Sequence, residues 1–186
     1  MSKTKNSPDR QSKLLPQVFY YLSIVGAIVF FVLGGLALWA HNFTSNMVNA
    51  ELTAQKIYFP KQGSAGFEPS VYPELQQYTG MLVDSPKKAK AYANGYIGRH
   101  LKEVADGKMY AEVSAESMKN PKDQKLQQQK QVLFQGETLR GMLLTSGYGF
   151  GTIGYIAKIA SILLFALSLI SVVSAIFLSR RYQSIK

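Results

Sequence analysis

The sequence predicts a mainly α protein, with two transmembrane helices forming a hairpin and a small, mostly helical extracytoplasmic domain between them. Three observations carry this. Residues 14–40 and 159–178 hold no charged side chain, the mostly polar residues 41–152 separate them, and basic residues lie beyond both apolar runs. An apolar helix over residues 18–39 would reach about 33 Å and one over 159–178 about 30 Å, which is the thickness of a bilayer's hydrocarbon core.

The flanks set the expected orientation. Lys3, Lys5, Arg10 and Lys13 precede the first run, while Arg180, Arg181 and Lys186 follow the second. Basic residues stay on the cytoplasmic side, so the expected location is a plasma membrane with both termini cytoplasmic. The organisation that follows is a basic tail (1–16), a first span (17–40), an extracytoplasmic domain (41–152), a second span (153–178) and a second basic tail (179–186). A cleaved signal peptide is the alternative for the first run. Its length exceeds the 7–15 residues of a signal core, and Leu38-Trp39-Ala40 lacks the small-residue pair of a cleavage site, so an uncleaved anchor is expected.

The formal net charge is +10. It is not a nucleic-acid footprint, because the tails carry +3 each for a membrane reason and residues 41–152, with thirteen basic and ten acidic side chains, carry only +3. No nucleic-acid partner is expected. The chain has no cysteine, which excludes disulfides and thiolate metal sites.

Small residues in the two runs offer faces for close helix packing: Gly26, Ala27, Gly34 and Gly35 in the first, Ser161, Ser168, Ser171 and Ala175 in the second. Apart from Lys158, at the margin of the second span, neither span carries a charge. Ion pathways and proton relays need charged groups inside the membrane, which speaks against a transporter.

Gly149, Gly151 and Gly154 have the G-x-G-x-x-G spacing of a dinucleotide cradle. That cradle requires a preceding strand, a soluble helix and an acid some 20 residues on. Here the glycines run into an apolar span and no Asp or Glu follows Glu137. The expected role is an interfacial bend with close backbone approach, set among Tyr148, Phe150 and Tyr155, with Trp39 and Phe43 as the aromatic belt of the other helix.

Within 41–152, residues 43–54 are helix-compatible, and 57–73 form an irregular stretch rich in Gly, Pro and Ser. Asp84 or Ser85 as N-cap and Pro86 in the first turn announce a helix that Gly107 ends. Ala89, Tyr92, Ala93, Tyr96, Ile97, His100, Leu101 and Val104 form its apolar face, opposite Lys87, Lys88, Lys90, Arg99, Lys102 and Glu103. Asn94-Gly95 is a hairpin signal that the continuing periodicity overrides. A short unit at 109–113, a polar loop or solvated helix at 119–131 and a helix over about 127–144 complete the domain.

Chemistry-bearing clusters are scarce. The two histidines, His41 and His100, lack the spacing of a metal site, and no G-x-S-x-G elbow accompanies the serines. No cofactor, metal or catalytic residue is expected. The candidate pocket or packing face is Tyr92, Tyr96, His100 and Tyr110.

The segment DSPKKAKAYANGYIGRHLKEVADGKMYAEV, followed by TLRGMLL and a second span, resembles a family of small two-span membrane proteins common in actinobacteria. The resemblance rests on Ala91-Tyr92-Ala93, His100 and Tyr110-Ala111-Glu112. Some members are labelled as aromatic-ring-opening dioxygenases, a chemistry that needs an iron site for which this domain has no second suitable histidine. The resemblance implies the architecture and no mechanism. The expected function is that of a non-enzymatic accessory, scaffold or assembly partner in a cell-envelope complex. Its partners would be the lipid bilayer, another membrane or envelope protein, or further copies of the chain. The alternative is an extracytoplasmic receptor module for a small molecule or lipid.

Overall fold

The computed structural model describes the backbone of residues 8–184 and the side chains of residues 14–180. The residues of both basic tails beyond these limits lie outside the described part. Six α-helices account for most of the chain: α1 (Pro8–Ala54), α2 (Pro86–Lys90), α3 (Gly98–Val104), α4 (Tyr110–Lys119), α5 (Gln124–Met142) and α6 (Phe150–Ser184). Wide π-helical segments, Ala91–Ile97 and Leu143–Gly149, join α2 to α3 and α5 to α6. No strand forms among the described residues, where a single antiparallel bridge links Tyr58 and Leu82. The chain divides into two compact units, one of Met1–Asn42 with Tyr155–Lys186 and the other Phe43–Gly154.

The first unit is a helix pair. Both helices are long and apolar enough to cross a membrane, and their apolar side chains are not a protein core: Leu22, Phe31 and Ile170 are each more than 60% exposed. What is buried is small. Ala27, Ser161, Ser168 and Ala175 line the seam, Ser168 Oγ donates to the Ala27 carbonyl at 2.9 Å, and Phe165 packs on Gly34 so closely that a Cβ there would lie 3.0 Å from its ring. Phe31 meets Phe165 edge-on at 5.7 Å. The expected small-residue faces therefore do pair, with Gly35 the exception, since it has nothing within 4 Å of its Cβ position.

The second unit is a helical domain with its own core. The expected boundaries at 40 and 152 are not helix ends, because α1 continues without interruption to Ala54 and α6 begins at Phe150. Val48 and Leu52, near the end of α1, are buried with Phe59, Phe67, Tyr72, Leu75 and Val83. Phe59, Phe67 and Tyr72 come from the stretch expected to be irregular, and Leu75 and Val83 follow it. Residues 57–83 include a 3₁₀-helix at Pro73–Tyr78 and are tied by Phe59 N–H to Met81 O at 2.9 Å and Val83 N–H to Ile57 O at 2.8 Å. Ser85 is the N-cap of α2 and Pro86 its first residue, as the sequence predicts, while Asp84 instead accepts from Lys88 Nζ at 3.0 Å. Gly107 stops α3 at a φ of +82°, and its N–H donates to Lys102 O at 2.8 Å. The short unit expected at 109–113 is the start of α4, and the polar run divides into a turn and the first half of α5, where Asp123 caps the Leu126 N–H at 3.1 Å.

The apolar face of the central helical rod lies where expected except at His100. Its buried residues are Ala89, Ala93, Ile97, Leu101 and Ala105, one every four, and His100 is exposed. On a regular α-helix a four-residue step overshoots a full turn by about 40°. The π segment, with more residues per turn, takes up most of that drift, so the stripe stays straight while His100 turns outward.

The glycine run also departs from the expected bend. None of Gly147, Gly149, Gly151 and Gly154 has a positive φ, and helical hydrogen bonding continues through them. What they provide is the expected close approach. A Cβ on Gly147 would lie 2.9 Å from that of Ala89, one on Gly151 would collide with the Pro86 ring, and one on Gly154 would lie 3.2 Å from Thr44 Cγ2. Gly151→Ala should therefore destabilise the protein by about 1–3 kcal/mol, since the proline ring has no rotamer to yield. Gly141→Ala, in open helical surroundings, should be neutral or stabilising by up to about 1 kcal/mol. Thermal melts of the solubilised protein test the contrast, and equal melting temperatures would mean the close approach carries no weight.

Candidate functional site

The four residues of the expected face do not form one site. Tyr92 and Tyr96 pack against the core with their rings tilted at 51° and centroids 5.2 Å apart, His100 lies parallel to Tyr96 at 6.4 Å on the exposed side, and Tyr110 is elsewhere, paired with Phe134. Two separate arrangements result.

The first is an aromatic cluster. Phe59 stacks on Tyr78 and meets Tyr92 edge-on, both at 5.1 Å, while Phe67 stacks on Tyr72 at 5.6 Å and meets Tyr96 edge-on at 5.7 Å. Arg99, expected on the polar face, closes the edge. Its guanidinium lies 5.5 Å from the Tyr72 ring centroid, and it donates to Val71 O at 2.7 Å and to Glu74 Oε1 at 2.5 Å. Phe59, Phe67 and Tyr72 are at most 1% exposed, so this is a filled core. The sequence reading placed its helical half and missed the rest. The available signal was Phe59, Phe67, Tyr72 and Tyr78 in a loop, since rings so numerous in an irregular stretch must bury together.

Burial sets the chemistry of these phenols. It pushes the Tyr72, Tyr92 and Tyr96 hydroxyls above the ordinary tyrosine range, with Glu103 adding to the shift at Tyr72, Tyr96 at Tyr92 and Glu68 at Tyr96. Such phenols are held neutral, the reverse of an activated base or nucleophile. Tyr148 shows the opposite shift: Lys90 Nζ, 3.2 Å from its hydroxyl and 4.5 Å from its ring centroid, lowers its pKa.

The second arrangement is an open groove of about 410 Å³ between α4 and α5. Tyr110 and Phe134 form its aromatic floor, with ring centroids 5.7 Å apart and planes inclined at 49°. Gln127, Lys130 and Gln131 line it with Phe134, at the three- and four-residue spacing of one helix face. Gln127 Nε2 donates to Ser117 O at 3.1 Å, and the Tyr110 N–H donates to Glu137 Oε1 at 3.1 Å, which fixes the junction of the two helices. Phe134, the missed residue here, is the only aromatic of α5 and is 57% exposed. Among the described residues no group of three or more His, Asp or Glu is placed to hold a metal ion.

No family model, curated protein or solved structure matches the chain.

The Tyr72 hydroxyl is buried with no hydrogen-bond partner. Tyr72→Phe removes that unpaired group and keeps the ring beneath Arg99, so it should be neutral or stabilising by about 1–2 kcal/mol in thermal melts. A loss of stability would show that the hydroxyl is satisfied. The raised phenol values also fix a pH dependence. Above pH 10.0, the ordinary value, the unfolded state releases its tyrosine protons before the native state does. Stability contributed by these groups is thus complete below pH 10 and falls as pH rises towards their native values. Melting temperatures measured between pH 8 and 11 should drop at the alkaline end, and less so in Tyr72→Phe.

Proposed function

We propose that the chain is a non-enzymatic integral plasma-membrane protein of a bacterial cell envelope. It would act as an accessory, scaffold or assembly partner of an envelope complex. The carrying observation is the helix pair of the first unit, which buries only its small seam and leaves its large apolar side chains exposed. Apolar surface of that extent is unfavourable in water and suited to lipid or to the apolar faces of other membrane helices. The chemistry-bearing groups of the second unit support the non-enzymatic part, because they hold structure. Arg99 with Glu74, Lys88 with Asp84 and Lys108 with Glu116 are ion pairs joining neighbouring segments, and the buried phenols are neutral. A single proton-transfer group in need of a partner would have argued otherwise.

The basic flanks favour cytoplasmic termini, with residues 41–152 outside. The absence of cysteine makes this directly testable. A cysteine introduced as Met118→Cys should react with a membrane-impermeant maleimide on intact cells, whereas Ser2→Cys should react only after permeabilisation. Labelling of Ser2→Cys on intact cells would reverse the orientation. Affinity capture in mild detergent should then recover a defined envelope partner.

The second reading, a receptor module for a small molecule or lipid, is favoured by the groove at Tyr110 and Phe134 and not by the filled cluster around Tyr96. Recovery of no partner, together with saturable ligand binding lost in Phe134→Ala, would place that reading first.

A further inference from the structure

We propose that the groove between α4 and α5 binds a saccharide bearing an anionic substituent. The argument starts from Phe134. Its ring is 57% exposed on a helix otherwise rich in glutamine and lysine, and with Tyr110 it presents two inclined aromatic faces to one concavity. Two rings facing one concavity offer a surface that a partly apolar ring of a ligand can cover. The walls specify what kind of molecule that is. Gln127 Nε2 donates to Ser117 O, which fixes that carboxamide and leaves its Oε1 as an acceptor one turn from Gln131, whose amide carries donor and acceptor in one plane; the pair suits hydroxyls on adjacent ring carbons, because each hydroxyl both donates and accepts. A purely apolar ligand such as an acyl chain would leave these amides unanswered.

Lys130 supplies the charge preference. It is partly buried on the same wall and has no carboxylate partner among the described residues. Glu137, which accepts from the Tyr110 N–H, is not among the residues that line the groove. The groove is therefore positive on one side, aromatic on its floor and amide-lined between, as a sugar acid requires. Size decides between a small ligand and a docked protein. About 410 Å³ lies at the lower end of small-molecule sites, whereas a stable protein interface buries about 800 Å² on each partner.

The proposal rests on the reading that puts residues 41–152 outside the cell, where envelope saccharides are found, but its test does not use cells. The full chain is reconstituted in lipid nanodiscs, since maltoside detergents would present a competing sugar. It is then titrated calorimetrically with a hyaluronan tetrasaccharide, which carries glucuronic acid, and with uncharged chitotetraose. The charged probe should bind saturably and more tightly. Affinity should fall about ten-fold or more in Phe134→Ala and Tyr110→Ala, and Lys130→Gln should abolish the preference over chitotetraose while retaining binding. Equal or tighter binding of chitotetraose by the native chain would overturn the anionic assignment. Absence of saturable binding by either probe, or binding unchanged in Phe134→Ala, would overturn the site. Either result would leave the orientation experiment intact, because maleimide labelling reports on topology alone.

Discussion

Close backbone approach along one face of α6 is the constraint on which the rest depends. Gly154, Ser161, Ser168 and Ala175 recur every seven residues on that helix, and all four are buried. Seven-residue spacing keeps a seam turned toward a partner helix over many turns. Where the partner surface is apolar and the surroundings are lipid, no hydrophobic gain separates helix from solvent, so contact must come from van der Waals packing and hydrogen bonds at short range. In the first unit this is the contact of Ala27 and Gly34 with Ser168 and Phe165. In the second, Thr44 approaches Gly154 at the start of α6, and Ala89 approaches Gly147 in the π segment before it.

The second unit meets the same demand by a different device. Ala89, Ala93, Ile97, Leu101 and Ala105 keep small and branched residues at four-residue intervals, and the π segment keeps that stripe straight. Gly95 lets Leu75 in, where a Cβ would lie 2.9 Å from Leu75 Cδ2, and Gly136 does the same for Leu101. Both wide segments bring a polar or glycine-rich stretch against another helix. Arg140 donates twice to Asn94 Oδ1, at 3.2 and 3.0 Å, across one of these approaches. The aromatic loop then fills the space that remains, which is why so irregular a segment supplies the most deeply buried rings.

What was legible in the sequence follows from which signals are local. The two apolar helices, the start of α2 at Ser85 and Pro86, the stop at Gly107 and the small faces of the helix pair depend on neighbours in the chain or on simple periodicity, and they are found where expected. The burial of Phe59, Phe67 and Tyr72 depends on partners 20 to 40 residues away, such as Tyr92 and Tyr96, and a Gly/Pro-rich stretch gives no period by which to place them. His100 was misplaced because an average α-helical period was carried through a widened turn, and a strict four-residue recurrence of Ala, Ala, Ile, Leu and Ala was the available warning. The seven-residue repeat from Gly154 to Ala175 is also legible in the sequence. It was obscured by the dinucleotide-like spacing of Gly149, Gly151 and Gly154, which draws the eye to a loop where the chain forms a helix.

The candidate site was less legible, for a reason that separates folding from binding. Residues that fold a domain repeat at helical intervals, whereas residues that bind converge from different elements and need no period. Tyr110 was named from the sequence, yet its partner Phe134 lies 24 residues on, in a helix whose polarity hides it. The aromatic residues that looked like a pocket, Tyr92 and Tyr96, are those that periodicity could detect, and periodicity detected them because they pack. Phe134 breaks the polar pattern of its own helix, is 57% exposed and meets Tyr110 at 5.7 Å. An exposed aromatic side chain outside the periodic set is therefore the better guide to a candidate groove, here with Gln127, Lys130 and Gln131 along its wall.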